Sequence, residues 1–317
     1  MDRRRFLRVG TGALGAGLIG SAVPGAPRLF AQVPAAPDTS ATPASGPPDI
    51  VVAKGSPEDA VRQALDALGG IGRFVRPGQV VVVKPNAGFA SPPEWGATTH
   101  PGVLTAVAAA CLQAGARRLF VVDHTLAPSD RCFDRTGIGA AVASIPGAKL
   151  VALDDPKAYR AVEIPRGKAL KRTDIAEVAL KADVLINIPT AKAHTATGVS
   201  FGLKNLMGLV WDRQVFHTDM DIHVGIADLA TVLRPALTIV DAMVVLTTRG
   251  PAGPGDVANF GGVVAGVDPV AVDAYAVGLA TWNQQTLAPG QIGFLRHAAE
   301  RGVGTLDLSS LRIVRPA

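Results

Sequence analysis

The sequence predicts an α/β fold: three layers, a mainly parallel sheet and helices on both faces. Continuous apolar runs such as VVVV at 80–83 show no polar alternation, which marks strands buried on both faces. These runs alternate with patterns of helical period. Several of them end in charged or amide residues, as expected where strands deliver groups to one edge of an open sheet.

Taken in order, strands are expected over 50–53, 80–84, 118–123, 149–153, 184–188, 237–241 and 263–267. Helices are expected over 57–68, 101–114, 173–181, 222–233 and 269–280. Pro101 and Pro269 suit the first turn of a helix, and Asp221 and Asp268 suit the cap before one. The segment 187–208, NIPTAKAHTATGVSFGLKNLMG, starts as an apolar strand and ends as a helix. Between them it carries Asn187, Lys192, His194, Lys204 and Asn205.

Residues 1–31 read as a twin-arginine signal: Arg3 and Arg4 form the pair, and a Gly/Ala-rich weakly apolar stretch follows. The expected location is therefore periplasmic or otherwise exported. The apolar stretch is shorter than the roughly 20 residues a span needs, so no stable membrane insertion is expected after cleavage. Residues 32–48 read as a flexible Pro/Ala-rich linker, and 49–317 as a single α/β domain. The signal holds five arginines and one acid. Without it, 31 basic and 26 acidic residues become 26 and 25. A nearly neutral domain gives no support to a nucleic-acid partner. Cys111 and Cys132 are the only cysteines, two fewer than the four thiolates of an iron–sulfur centre. Two cysteines leave a disulfide open.

Reading each strand to its end collects Lys84 and Asn86, then Asp123, then Lys192 and His194, then Asp241. Lys204 and Asn205 sit in an otherwise apolar helical run, where a lysine must reach water or meet an anion. Amides at a helix start near Ser200 would add anion affinity. His194, on a loop between strand and helix, is the candidate proton carrier or ligand, with Lys84 and Lys204 as catalytic cations. Asn86, His100, Asp123, Lys192, Asn205 and Asp241 are candidate ligand contacts. His100 reads equally as a helix cap and as a contact. If the segment His217–His223 is extended, His217, Asp219 and His223 share a face and would suit a divalent metal; the alternative is a solvated loop before a helix.

The blocks VVVKPNAG, TTHPGVLTAVAAACLQAGARRLFVVDH, ADVLINIPTAKAHTATGVSFGLKNLMG, HVGIADLATVLRPALTIVDAM and GVDPVAVDAYAVGL, in that order, resemble the domain of unknown function 362 family. The resemblance implies that polar motif positions fall on Lys84, Asn86, His100, Asp123, Lys192, His194, Lys204, Asn205, Asp228, Asp241 and Asp273. Many relatives carry a ferredoxin-like cysteine segment; this chain has no cysteine after position 267 and lacks it. The resemblance implies a fold and a site, not a reaction; the Lys/His/Asp groups at the strand ends read as an enzyme acting on an anionic small molecule or with a metal. The alternative is a noncatalytic carrier of a metal or cofactor using the same residues.

Overall fold

The computed structural model describes residues 46–316, so the twin-arginine signal and residues 32–45 of the linker lie outside the described residues. The strands are β1 (Ile50–Lys54), β2 (Val80–Pro85), β3 (Arg118–Asp123), β4 (Ala148–Ala152), β5 (Tyr159–Glu163), β6 (Arg172–Ala176), β7 (Val184–Ile188), β8 (Thr190–His194), β9 (Gly198–Ser200), β10 (Leu237–Leu246), β11 (Val257–Ala258), β12 (Gly262–Gly266) and β13 (Ile313–Val314). The main sheet runs β13-β1-β12-β10-β7-β2-β3-β4. Pairing is parallel from β10 through β7, β2 and β3 to β4, and β12 is antiparallel to both β1 and β10.

Strand side chains divide between two cores, as period-2 geometry requires. Val82 and Val122 enter one; Val81, Val83 and Val121 enter the other. The second core is closed by α1 (Pro57–Ala67) and α2 (Pro101–Gln113), with α3 (Ser129–Arg135) and α4 (Ile138–Ala143) after β3. Four-residue turns α5 (Glu177–Leu180), α6 (Gly202–Asn205) and α7 (Val215–Thr218) follow, then α8 (Ile222–Leu229), α9 (Pro269–Val277) and α10 (Gly293–Glu300), whose apolar faces enter the first core. The three-layer expectation therefore holds. Caps fall where the residues place them: His100 Nδ1 accepts from Gly102 N, and Asp268 accepts from Val270 N and Ala271 N.

The expected helix over 173–181 is a correction. Its first half is β6, antiparallel to β5, and only Glu177–Leu180 is helical. Apolar spacing in TDIAEVAL fits both periods; the buried pairing of Ile175 across the hairpin decides for the strand. The 187–208 segment also differs from expectation: β8 and β9 form a hairpin beside β10 before a short α6, so His194 ends a strand. Among the described residues, no helix is long and apolar enough to cross a membrane.

The order of strands creates a crevice. From β2 the chain moves outward to β3 and β4, then returns at β7 on the other side of β2 and continues to β10. Connections leaving β2 and β7 therefore diverge, and the space beyond their carboxyl ends stays open.

Candidate active site

Lys84 closes β2 with its side chain fully buried, and its Nζ pairs with Asp123 Oδ1 at 2.9 Å from the end of β3. The amide of Ala87 donates to the other oxygen of Asp123, at 2.6 Å. Lys84 also donates to Pro85 O. Gly208 lies directly over this pair: a Cβ there would fall onto Asp123 Oδ1 and within 2.6 Å of Lys84 Cε. Glycine thus lets the turn after α6 press onto a buried ion pair. Gly208→Ala is expected to cost about 1–3 kcal/mol by overpacking, measured by urea unfolding; an unchanged midpoint would contradict this contact.

A buried amide network surrounds the pair. Asn205 Nδ2 donates to Asn187 Oδ1 at 2.8 Å and to Lys84 O at 3.2 Å, while its Oδ1 accepts from Asn86 Nδ2 at 3.1 Å. Lys192 Nζ donates to Asn86 Oδ1 at 3.2 Å and to Ala97 O, and lies over the Phe89 ring. Burial, then the nearby charge of Lys204, pulls the Lys192 ammonium well below its usual range.

Lys84, Asn86, Phe89, Asp123, Lys192 and Asn205 form one wall of a cavity of about 530 Å³, which His194, Lys204 and Arg213 also line. His194 Nδ1 accepts from the Ala196 amide at 3.1 Å, which leaves the ring proton on Nε2. Burial and the charges of Lys204 and Lys192 push the imidazole down to about 2. It stays neutral at physiological pH. Its ring resonance is therefore expected to show no titration between pH 5 and 8 in a proton NMR series; a midpoint near the ordinary value of about 6.5 would contradict it.

Lys204 differs from the other two lysines. It is 9 % exposed, and the only hydrogen-bonding contact of its Nζ among the described residues is the Met207 sulfur, at 3.6 Å. Burial, then the Arg213 charge, lowers it to about 8. Arg213 Nη2 donates to Thr125 O at 3.1 Å and has no carboxylate partner among the described residues. Beside it, Trp211 stacks on His124 with ring centroids 5.2 Å apart and planes 4° apart, and meets Tyr159 edge-on. Arg213 and Trp211 carry no signal in the sequence that marks them as site residues. They follow the apolar run GLV with no periodic signal, and they reach the cavity only because Trp211 N bonds to Asp174 O on the unforeseen β6.

Other expected residues sit elsewhere. His100 caps α2 and its amide donates to Asp241 Oδ2 at 2.6 Å; neither side chain lines the cavity. Burial raises Asp241 to about 6. Asp273 accepts from Gly202 N and Leu203 N, at 2.7 and 2.8 Å, so the amides at the start of α6 are engaged by a carboxylate rather than offered to an anion. Asp228 holds Arg301 and three loop amides away from the cavity. The segment holding His217, Asp219 and His223 is not extended: α7 and the start of α8 turn it, so the shared face does not form. His217 lines the cavity, Asp219 accepts from Thr218 Oγ1, and His223 Nδ1 accepts from Phe294 N. Among the described residues, no three His, Cys, Asp or Glu side chains gather as a metal set. Cys111 and Cys132 are separate, buried and free.

The model of the family described as Domain of unknown function (DUF362) matches residues 81–278, which span every cavity wall named above. The chain belongs to this family. It is 30% identical over 227 residues to the thylakoid-associated protein sll1697 of Synechocystis sp., an alignment covering 68% of this chain and 67% of that protein. Among solved structures it is similar to the lactate racemase apoprotein from Thermoanaerobacterium thermosaccharolyticum, at 15% identity and a TM-score of 0.41, over 62% of this chain and 50% of that one. A Thermotoga maritima protein matches at 13% identity and 0.39, over 59% of this chain and 51% of that one. The chain thus spans about half the length of these two solved proteins.

Proposed function

We propose that the cavity is the substrate site of an enzyme acting on an anionic small molecule. One observation carries this reading: the cavity is rich in buried cations and short of carboxylates to match them. Its one buried carboxylate among the described residues, Asp123, is taken by Lys84. Among the described residues, the buried Lys192 and Lys204 and the half-buried Arg213 have no carboxylate partner, and the remaining acid on the wall, Asp212, is exposed and accepts from Gln214 N. Unpaired buried cations cost stability and are kept where a ligand's charge offsets that cost.

The chemistry follows from the parts. Arg213 and Lys204 take the anionic group; each charge-assisted hydrogen bond contributes about 1.5–3 kcal/mol. His194 offers a neutral Nε2–H to an oxygen on which charge develops, without first having to lose a proton. Trp211, held between His124 and Tyr159, is a rigid apolar wall that shields part of the ligand from water. A carrier would use the same residues; turnover separates the two, because His194→Gln in an enzyme keeps affinity and loses rate.

The first test is thermal stabilisation by phosphate, oxalate and citrate, each compared with Lys204→Met and Arg213→Met. Stabilisation in the wild type that drops in both variants supports the site. No stabilisation by any of the three anions, or equal stabilisation in the variants, would overturn it. For location, the Arg3-Arg4 pair supports export by the twin-arginine route. Replacing both by lysine should then retain the protein in the cytoplasmic fraction.

A further inference from the structure

Three lysines converge on one cavity, but they are not equivalent. Lys84 gives its ammonium to Asp123 and to Pro85 O, and Lys192 gives its own to Asn86 Oδ1 and Ala97 O. An ammonium paired with a carboxylate, as Lys84 is, presents no lone pair, and imine formation at Lys192 would remove both N–H donors that Asn86 and Ala97 accept. Lys204 is held by nothing stronger than a thioether, the Met207 sulfur at 3.6 Å. It is also nine-tenths buried and faces about 530 Å³ of open space. A buried lysine with a purely structural role is ordinarily paired with a carboxylate or carbonyl; among the described residues Lys204 hydrogen-bonds to neither.

We propose that Lys204 is a nucleophile that forms an imine with the carbonyl carbon of an anionic aldehyde or ketone bound in the cavity. This deepens the anion-site reading and rests on it. Arg213, which keeps its charge, holds the carboxylate or phosphate of a carbonyl ligand, while Lys204, which meets a simple anion as an ammonium, meets the carbonyl as the free amine. The Nζ lone pair attacks the carbonyl carbon, a C–N bond forms, and the carbonyl π electrons move to oxygen. His194 Nε2–H hydrogen-bonds that oxygen as it gains charge. Both protons of the neutral amine pass in turn to that oxygen, the first giving the carbinolamine and the second letting it leave as water as the C=N bond forms. The balance is amine plus carbonyl giving imine plus water, with no oxidant or reductant. Burial beside Arg213 lowers Lys204 to about 8, which makes free amine available near neutral pH.

The test uses pyridoxal 5′-phosphate and glyoxylate, which each join an anion to a carbonyl. The protein is treated at pH 8, reduced with borohydride, digested and mapped by mass spectrometry. Reduction fixes the imine as a secondary amine, so the adduct adds the probe's mass less one oxygen atom. Lys204 is expected to label first. Lys181, which is 72% exposed, serves as the internal comparator; at pH 8 a lysine held at about 8 has a free-amine fraction on the order of a hundredfold above one at the ordinary value of about 10.4. Excess inorganic phosphate should slow the labelling. Lys204→Arg should abolish it, and Lys204→Met serves where arginine prevents folding. Labelling of Lys204 no faster than Lys181, or a label pattern unchanged in Lys204→Arg, would overturn the proposal. Trapping at Lys204 that phosphate does not slow supports the nucleophile and counts against the anion site. Stabilisation by phosphate without trapping at Lys204 keeps the anion site and sinks the nucleophile.

Discussion

Replacing Asp228 by alanine is expected to bring the protein to the edge of unfolding without touching the cavity. Asp228 is fully buried; one carboxylate oxygen meets Arg301 Nε at 2.7 Å. The other accepts from the amides of Lys168, Ala169 and Leu170, at 2.8, 2.7 and 2.9 Å. The substitution strands a guanidinium that is 5 % exposed and orphans three amides together. Breaking a buried pair from one side costs about 3–5 kcal/mol. The amides add to this, against a total stability of about 5–15 kcal/mol for a domain. Urea unfolding at pH 7 measures it, and a loss below about 1.5 kcal/mol would contradict the role assigned here. The family resemblance places Asp228 among motif positions; its geometry makes it a brace between α8, α10 and the 168–170 loop.

The second large effect has the opposite sign. Lys204→Met is expected to stabilise the ligand-free protein and to weaken anion binding by about 10- to 100-fold. Burial holds the folded Lys204 at about 8, below its unfolded value of about 10.4. Folding therefore bears the full cost of a buried ammonium below pH 8, and that cost fades as pH rises from 8 towards 10.4. Methionine removes the cost below pH 8. A bound anion favours the ammonium, so wild-type affinity should fall by up to about tenfold per pH unit above pH 8, and Lys204→Met should lose that slope. Calorimetric titration with phosphate at pH 7, 8 and 9 reads both. Destabilisation by Lys204→Met together with an unchanged affinity would mark Lys204 as structural.

Much of the fold was legible because buried parallel strands write themselves as uninterrupted β-branched runs. The limits of β3 and β7 match the expected ones, and β2 runs one residue further. What escaped was decided by distant partners. The β5–β6 hairpin takes residues whose spacing fits a helix equally well, and β10 runs to Leu246 because β8 and β11 pair with its second half. The same division holds at the site. Lys84, Asn86, Asp123, Lys192, His194, Lys204 and Asn205 could be read as polar groups at strand ends or in apolar runs, and they do line one cavity. Reading strand ends alone could not show that Asp241 accepts from the His100 amide, or that Asp273 engages the amides of α6. Nor could it find Arg213, whose neighbours along the chain give no hint of a wall.

The central claim is that unmatched cations in this cavity hold an anion. A crystal soaked in iodide tests it without knowledge of the natural ligand, since the halide's anomalous signal locates it directly. The expected map has a strong peak inside the cavity between Lys204 Nζ and the Arg213 guanidinium, absent in Lys204→Met. Iodide at surface arginines with an empty cavity in the wild-type map would contradict the claim.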